Sequence, residues 1–420
     1  MGDARNTPRS ATRTDTRPPA RPEPGGPARR EPVASGNLGH SVFSIYFACL
    51  FFGASGVMLP ASGSILRAQL GLSDALYGAC FLPGSALGIL VALAGPLLMR
   101  RWSLRALHLW GVGLPAVAFV LMAFSTAVGR PAGLALLLIA MGLLGIAGGL
   151  VGITLNTAAM GIFPDAPGGA LTMLHAALGA GAALWPMAVA GAAGLGYWRA
   201  APLLLAAVFL FITVTASRGE IHGLAGERRP VDGRTDVPVR LRWRAATILL
   251  YGIAEATFTA WAVIYLTEDR GLSLAAGAGA LSLFWLALTA GRALATILVR
   301  RVSPARIALG LAVAMAAAFL VVARARGTFG LLAAFAFAGL ACSASFPVLL
   351  GLSAGELPER RPQVSAAFSA AVLIGIAIGS FGVGPLRGRM PLEQIYCVVG
   401  FVPVFMAALL IGVRRRRPEV

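Results

Sequence analysis

Runs of about 20 apolar residues, each cut by a short polar loop, recur along this chain after residue 40, and they limit the fold more than anything else in it. A bilayer offers no partner to backbone N–H and C=O groups, so only helices or closed barrels cross it. Barrel strands alternate apolar and polar residues, and these runs do not. Composition agrees, with 57% hydrophobic residues, 12% charged residues and a mean hydropathy of +0.79. The expected fold class is an all-α polytopic membrane protein with twelve transmembrane helices. They are read at about 41–66, 74–99, 103–126, 132–162, 169–194, 198–216, 243–267, 273–299, 303–323, 328–355, 363–386 and 392–413.

Where the charge sits decides what a formal net charge of +18 means. All 35 basic residues are Arg. Arg100, Arg101 and Arg105 follow span two, seven arginines crowd residues 218–244, Arg300, Arg301 and Arg306 follow span eight, and Arg414 to Arg417 close the chain. The alternate loops hold only scattered Arg67, Arg130, Arg199, Arg270, Arg324, Arg326, Arg387 and Arg389. By the positive-inside rule the Arg-rich faces and both termini are expected to be cytoplasmic, and the expected location is a bacterial inner membrane. The positive charge therefore reads as topology, and no nucleic acid is expected as a partner. Residues 1–40, rich in Pro, Arg and Gly, read as a disordered basic cytoplasmic tail without the apolar segment of a secretory signal. Residues 217–242 read as a cytoplasmic linker and 414–420 as a second basic tail. The four cysteines, Cys49, Cys80, Cys342 and Cys397, are scattered through apolar runs, so neither a disulfide nor a metal is expected.

The two halves, 41–216 and 243–413, repeat each other. Gly71-Leu72-Ser73 precedes span two and Gly271-Leu272-Ser273 precedes span eight; LLMRRWS at 97–103 and ILVRRVS at 297–303 close the same spans. A weaker match pairs Phe163-Pro164-Asp165 with Leu357-Pro358-Glu359. Three matches in corresponding places argue for a duplicated six-helix unit, and because both copies start on one side the repeats are parallel.

Span seven carries a carboxylate, Glu255, in the middle of its apolar run. A charged side chain at bilayer depth costs several kcal/mol, so such an acid faces a protein interior or a watery cavity. At about 100° per residue, Tyr251, Glu255 and Thr259 share one stripe, with Phe258, Trp261 and Tyr265 on the stripe beside it. The plainer alternative is a Glu held by a neighbouring Arg or Ser in helix packing. In span four, Gly145, Gly149, Gly152 and Asn156 lie on one face; the glycines suit close packing and the amide suits a neighbouring helix or a substrate hydroxyl. Span five carries His175, able to relay a proton or to bond a carbonyl. Span eight carries Trp285, suited to stacking on a solute, and Arg292, for which snorkelling is the simpler account. Arg100, Arg101, Arg300 and Arg301 are expected to form cytoplasmic gate pairs with Asp165, Glu356 and Glu359.

At these residues the chain resembles the major facilitator superfamily and, within it, the fucose permease type of sugar:proton symporters. The likeness rests on the 6+6 plan, on Leu174-His175 followed by GAGAALWP, on Tyr251-Gly252 with Glu255, Trp261 and Tyr265-Leu266, and on Phe284-Trp285 followed by Gly291-Arg292. The resemblance implies a central cavity between two six-helix halves, lined by spans one, four, seven and ten and opened alternately to each side. It also shows departures. Met99 and Trp102 stand where the superfamily's loop motif has Asp and Gly. Asn156 and Gly56 stand where the fucose permease type has acids. Both protonatable positions of that type are therefore neutral here, which leaves Glu255 or His175 to carry a proton and gives no ground for fucose as substrate.

The expected function is secondary active transport of a small, polar or sugar-like solute by alternating access, coupled to protons. The alternative is a drug or natural-product:proton antiporter. Asn156, His175, Tyr251, Glu255, Trp261 and Trp285 are the expected binding residues, and Glu255 and His175 the proton-coupling ones. An enzyme would need a nucleophile or metal cluster with acid and base partners, and the scattered His and Cys do not make one. No cofactor is expected. The expected partners are lipid, a small-molecule substrate and protons, with the chain a monomer.

Overall fold

The structure is a computed structural model that describes residues 2, 35–163, 165–219, 239–357 and 360–415. Among these residues every regular element is helical. Twelve helices are long and apolar enough to cross a membrane: Leu38–Ala61, Asp74–Arg101, Leu104–Ser125, Ala132–Ile162, Gly169–Gly194, Ala200–Arg218, Val239–Asp269, Leu274–Leu298, Pro304–Arg324, Gly327–Glu356, Gln363–Arg387 and Leu392–Gly412. They are called spans one to twelve. Their even number puts the two ends of the helical region on one face, the near face; the loops after spans one, seven and eleven lie on the other, the far face.

The boundaries differ from the sequence reading at four instructive places. The first helix begins at Ser35, inside the segment read as disordered. It stops at Ala61, and a separate short helix, Gly63–Leu70, carries the chain to the far face. Span seven begins at Val239, so Arg240, Arg242 and Arg244 ride on a helix instead of a linker. Span ten is two helices, Gly327–Cys342 and Ser345–Glu356, parted at Ser343–Ala344.

The repeated sequence motifs turn out to be helix punctuation. Gly71 and Gly271 both adopt positive φ, 57° and 67°, the left-handed conformation that costs glycine least. Two residues on, the Ser73 hydroxyl accepts from the Leu76 N–H at 3.3 Å and the Ser273 hydroxyl from the Ala276 N–H at 3.2 Å. Ser103 caps span three in the same way through the Ala106 N–H, while Ser303 starts span nine extended and without that bond. Replacing either Ser73 or Ser273 with Ala is expected to cost about 1 kcal/mol of unfolding free energy, and Ser303→Ala much less, by denaturant titration in detergent.

Small residues set the helix pairings. A Cβ on Gly145 of span four would strike the Gly84 backbone of span two, and one on Gly149 would come within 2.7 Å of Val91. Gly53 of span one and Gly181 of span five press on each other's helices in the same way. Six spans later the arrangement recurs. Gly252 of span seven meets Gly375 of span eleven, and Gly339 of span ten meets the Phe284 backbone of span eight. Pairings one–five and two–four thus return as seven–eleven and eight–ten, with spans five and eight and spans two and eleven joining the two sets.

Candidate functional site

The far face is sealed between the first and last six spans. Arg67 pairs with Asp74 at 2.8 Å on its own side and with Glu268 across the seam. Arg387 answers from span eleven, with its Nε 3.3 Å from Asp74 and its Nη2 3.2 Å from Glu268 and 2.6 Å from Asp269. Glu268 and Asp269 close span seven in a π-helical turn, Tyr265–Asp269. Below this cluster Tyr77, fully buried, donates to the Ala260 carbonyl at 2.9 Å and meets the Trp261 ring edge-on at 5.0 Å. Trp261 in turn donates through Nε1 to the Ser380 carbonyl at 2.9 Å. Gly78 and Gly384 let the backbones of spans two and eleven close up beside it.

The near face has no such crossing pair among the described residues. Arg100, Arg101, Arg300, Arg301 and Asp165 are all exposed, and none forms an ion pair there. Glu359 lies outside the described residues. Glu356 is engaged within the last six spans instead: Arg244, 8% exposed, holds it at 2.8 Å and also donates to the Ser353 hydroxyl at 3.2 Å. These four arginines thus stand apart from Asp165 and Glu356, and the ion pairs that cross between the first and last six spans lie on the other face.

Between the two faces lies a group of polar side chains built on spans five, seven, eight and ten. Glu255 sits midway along span seven and is 9% exposed, with no ion pair inside 4 Å. One turn below it Tyr251 is 1% exposed and its hydroxyl has no geometric hydrogen-bond partner. Both lie within electrostatic reach of Arg292, as does the buried thiol of Cys342. Arg292 does not snorkel. Its Nε donates to the Ser343 carbonyl at 3.0 Å, where span ten is broken. A cation suits the carbonyl-rich C-terminal end of the upstream half-helix, which carries partial negative charge. Gly291, packed against Ser343, lets the two spans come that close.

His175 reaches the same region from the first six spans. Span five meets span eight where Gly179 lies against the Thr289 side chain, and one turn away His175, exposed, stands within electrostatic reach of Arg292. Trp285 is half-buried two turns along span eight from Arg292, with its Nε1 unbonded. Asn156 turns its amide back on its own helix, donating to the Gly152 carbonyl at 2.9 Å, which leaves its oxygen uncommitted.

Trp261 stands apart from the other residues expected at the site in this conformation. Trp261 belongs to the far-face seal, and the aromatic stripe that contains it is core. Phe258 stacks on Phe319 at 4.0 Å, and the Tyr265 hydroxyl donates to the Val322 carbonyl at 3.1 Å. Sequence reasoning also passed over Arg67, Asp74, Glu268, Asp269 and Arg387. The available signal was that acids and arginines share the ends of spans one, two, seven and eleven.

A model of the Major Facilitator Superfamily matches residues 43–380. The chain belongs to that superfamily. It is therefore a secondary transporter of the alternating-access type, an integral membrane protein that carries a small-molecule substrate, and not a member of a catalytic enzyme family. An uncharacterised transporter of the superfamily from Yersinia pestis is 22% identical over 355 residues, which cover 83% of this chain and 89% of that protein. Two solved structures share the fold. The nucleoside transporter NupG, as a point mutant, superposes with a TM-score of 0.74 at 14% identity, over 89% of this chain and 99% of its own. A bacterial homologue of the human lysosomal transporter Spinster, inward-facing and occupied, superposes with a TM-score of 0.71 at 14% identity, over 92% of this chain and 100% of its own.

Proposed function

We propose that this superfamily member is a proton-coupled carrier of a small polar, hydroxylated or sugar-like solute, working as two six-helix halves in a bacterial inner membrane with both termini cytoplasmic. A nucleoside, the cargo of NupG, is a solute of this hydroxylated kind. With the termini cytoplasmic, the sealed far face is the outside and the conformation is inward-facing, the state named for the Spinster homologue. The observation that carries the reading is Glu255, a carboxylate midway along a span, nine-tenths buried and bound into no ion pair within 4 Å. A structural acid in that position would be locked to a partner. This one has only the Tyr251 hydroxyl and the more distant Arg292 as polar neighbours, so no ion pair holds it in its charged form. Asn156, His175, Tyr251 and Trp285 complete the binding surface.

The test is proton movement in proteoliposomes that enclose a pH dye, with sugars, polyols, nucleosides and cationic drugs offered to the wild type and to Glu255→Gln. A substrate-driven pH change in the wild type that falls at least about tenfold in the variant is expected, since the amide keeps the shape and cannot titrate. Its sign separates symport from the exporter reading. If labelled substrate crosses without a pH change, and crosses equally well in Glu255→Gln, the proposal is wrong.

A further inference from the structure

Several uncommitted polar atoms on spans seven, eight and ten can donate. Arg292 spends its Nε on the Ser343 carbonyl and gives its two Nη groups no hydrogen-bond partner among the described residues. The Trp285 Nε1 and the Ser345 hydroxyl are buried atoms without partners, the Tyr251 hydroxyl has only the Glu255 carboxylate in its immediate vicinity, and Ser345 begins the second half-helix of span ten, two residues past the carbonyl that Arg292 holds. Arg and Trp can only donate, so these groups call for an acceptor-rich ligand. The free Nη edge of a guanidinium offers two parallel N–H groups, the fork that matches a carboxylate.

Charge balance points the same way. One cation, Arg292, and one acid, Glu255, share the site, and neither meets the other in an ion pair within 4 Å. A second carboxylate brought to Arg292 would set two negative charges beside one positive, with Glu255 itself nine-tenths buried. Two acids so placed do not both stay ionised, and the cheapest remedy is a proton on Glu255. Resting on the proton-coupled reading above, we propose that the substrate is a small hydroxylated monocarboxylate held by the Nη edge of Arg292, and that its arrival places the proton on Glu255. One anion and one proton then cross together, so the step moves no net charge. Tyr251 and Trp285 take the hydroxyl end of the solute.

The experiment uses purified full-length protein in weakly buffered detergent and records melting temperature and proton uptake together. The probes are gluconate, glucuronate, quinate and lactate, each set against a neutral counterpart such as glucose, sorbitol or inositol. At least one carboxylate is expected to raise the melting temperature and to draw close to one proton per site. In Arg292→Gln its affinity should fall about 10- to 100-fold, with Arg292→Lys, which keeps the charge and loses the fork, in between. In Glu255→Gln it should bind with no proton taken up. Binding of neutral solutes alone, binding of none of the probes, or equal carboxylate binding in well-folded Arg292→Gln and Arg292→Lys overturns the proposal. Proton uptake driven by a neutral solute would overturn it while leaving the proton-coupled reading standing. Carboxylate binding lost with Arg292 but never accompanied by a proton would do the reverse to the coupling step and keep only the anion site.

Discussion

Removing Arg67 and Arg387 together is expected to open the far face. The two guanidiniums tie Asp74 on one side of the seam to Glu268 and Asp269 on the other. Without them three carboxylates confront each other across the seam with no cation between, so an attractive contact becomes a repulsive one. Each charge-assisted contact contributes about 1.5–3 kcal/mol, and the Arg387 side chain is only 12% exposed, which limits screening by water. A population shift of roughly 10- to 1,000-fold toward the open state follows from losing a few kcal/mol. Spin labels at Ala68 and Arg389, both exposed and outside the cluster, read it as a distance. The parent should give one short distance, and the double variant a broad distribution reaching longer values. An unchanged short distance would mean that the Tyr77–Ala260 bond and the glycine contacts hold the seam without the charges. Salt should move the parent in the same direction, much more weakly, because the pairs are only partly exposed.

Gly145→Val is expected to be among the most damaging single changes in the first six spans. Its Cβ would meet the backbone of Gly84, which cannot swing aside as a flexible side chain does. Overpacking costs about 1–3 kcal/mol where neighbours can adjust, and more where the obstacle is main chain. Gly148→Ala is the control, because a Cβ there meets nothing within 4 Å. A large fall in the melting temperature of detergent-solubilised protein for Gly145→Val, beside little change for Gly148→Ala, is the expected contrast. Equal melting temperatures would show that spans two and four can slide apart at no cost.

The fold was legible because its signals are local and redundant. Apolar runs of membrane length, arginines on alternate loops and paired Gly-Leu-Ser motifs each follow from what a helix needs to start, stop and cross lipid. The glycine face of span four was read as packing, and Gly145 and Gly149 are packed as that reading implies. Glu255 stood out for the same kind of reason, since a lone acid in an apolar run is conspicuous wherever its partners lie. The partners were the hidden part. The Ser343 carbonyl that holds Arg292 is a backbone group with no sequence signature; Ser343, Ser345 and Pro347 permit a helix break there but do not say which side chain would use the carbonyl it frees. The packing of Trp261 into the far-face seal was not legible, because periodicity gives a stripe its angle on the helix but not the neighbour it faces. The far-face cluster escaped because each of its residues sits at a span end, where charges are commonplace, and only the folded seam brings four separate spans together.

The π-helical turn at Tyr265–Asp269 links these levels. A turn closed by i→i+5 bonds accommodates one residue more than the α-helical rise requires. It therefore offsets the angular phase of everything after it by about 100° relative to an unbroken helix. Glu255 lies before the offset, and Glu268 and Asp269 lie within it. Span seven thus acts as a single shaft on which Glu255 and the acids of the far-face seal are keyed at separate angles. A one-residue deletion in that turn would leave both sets of side chains intact and change only the angle between them.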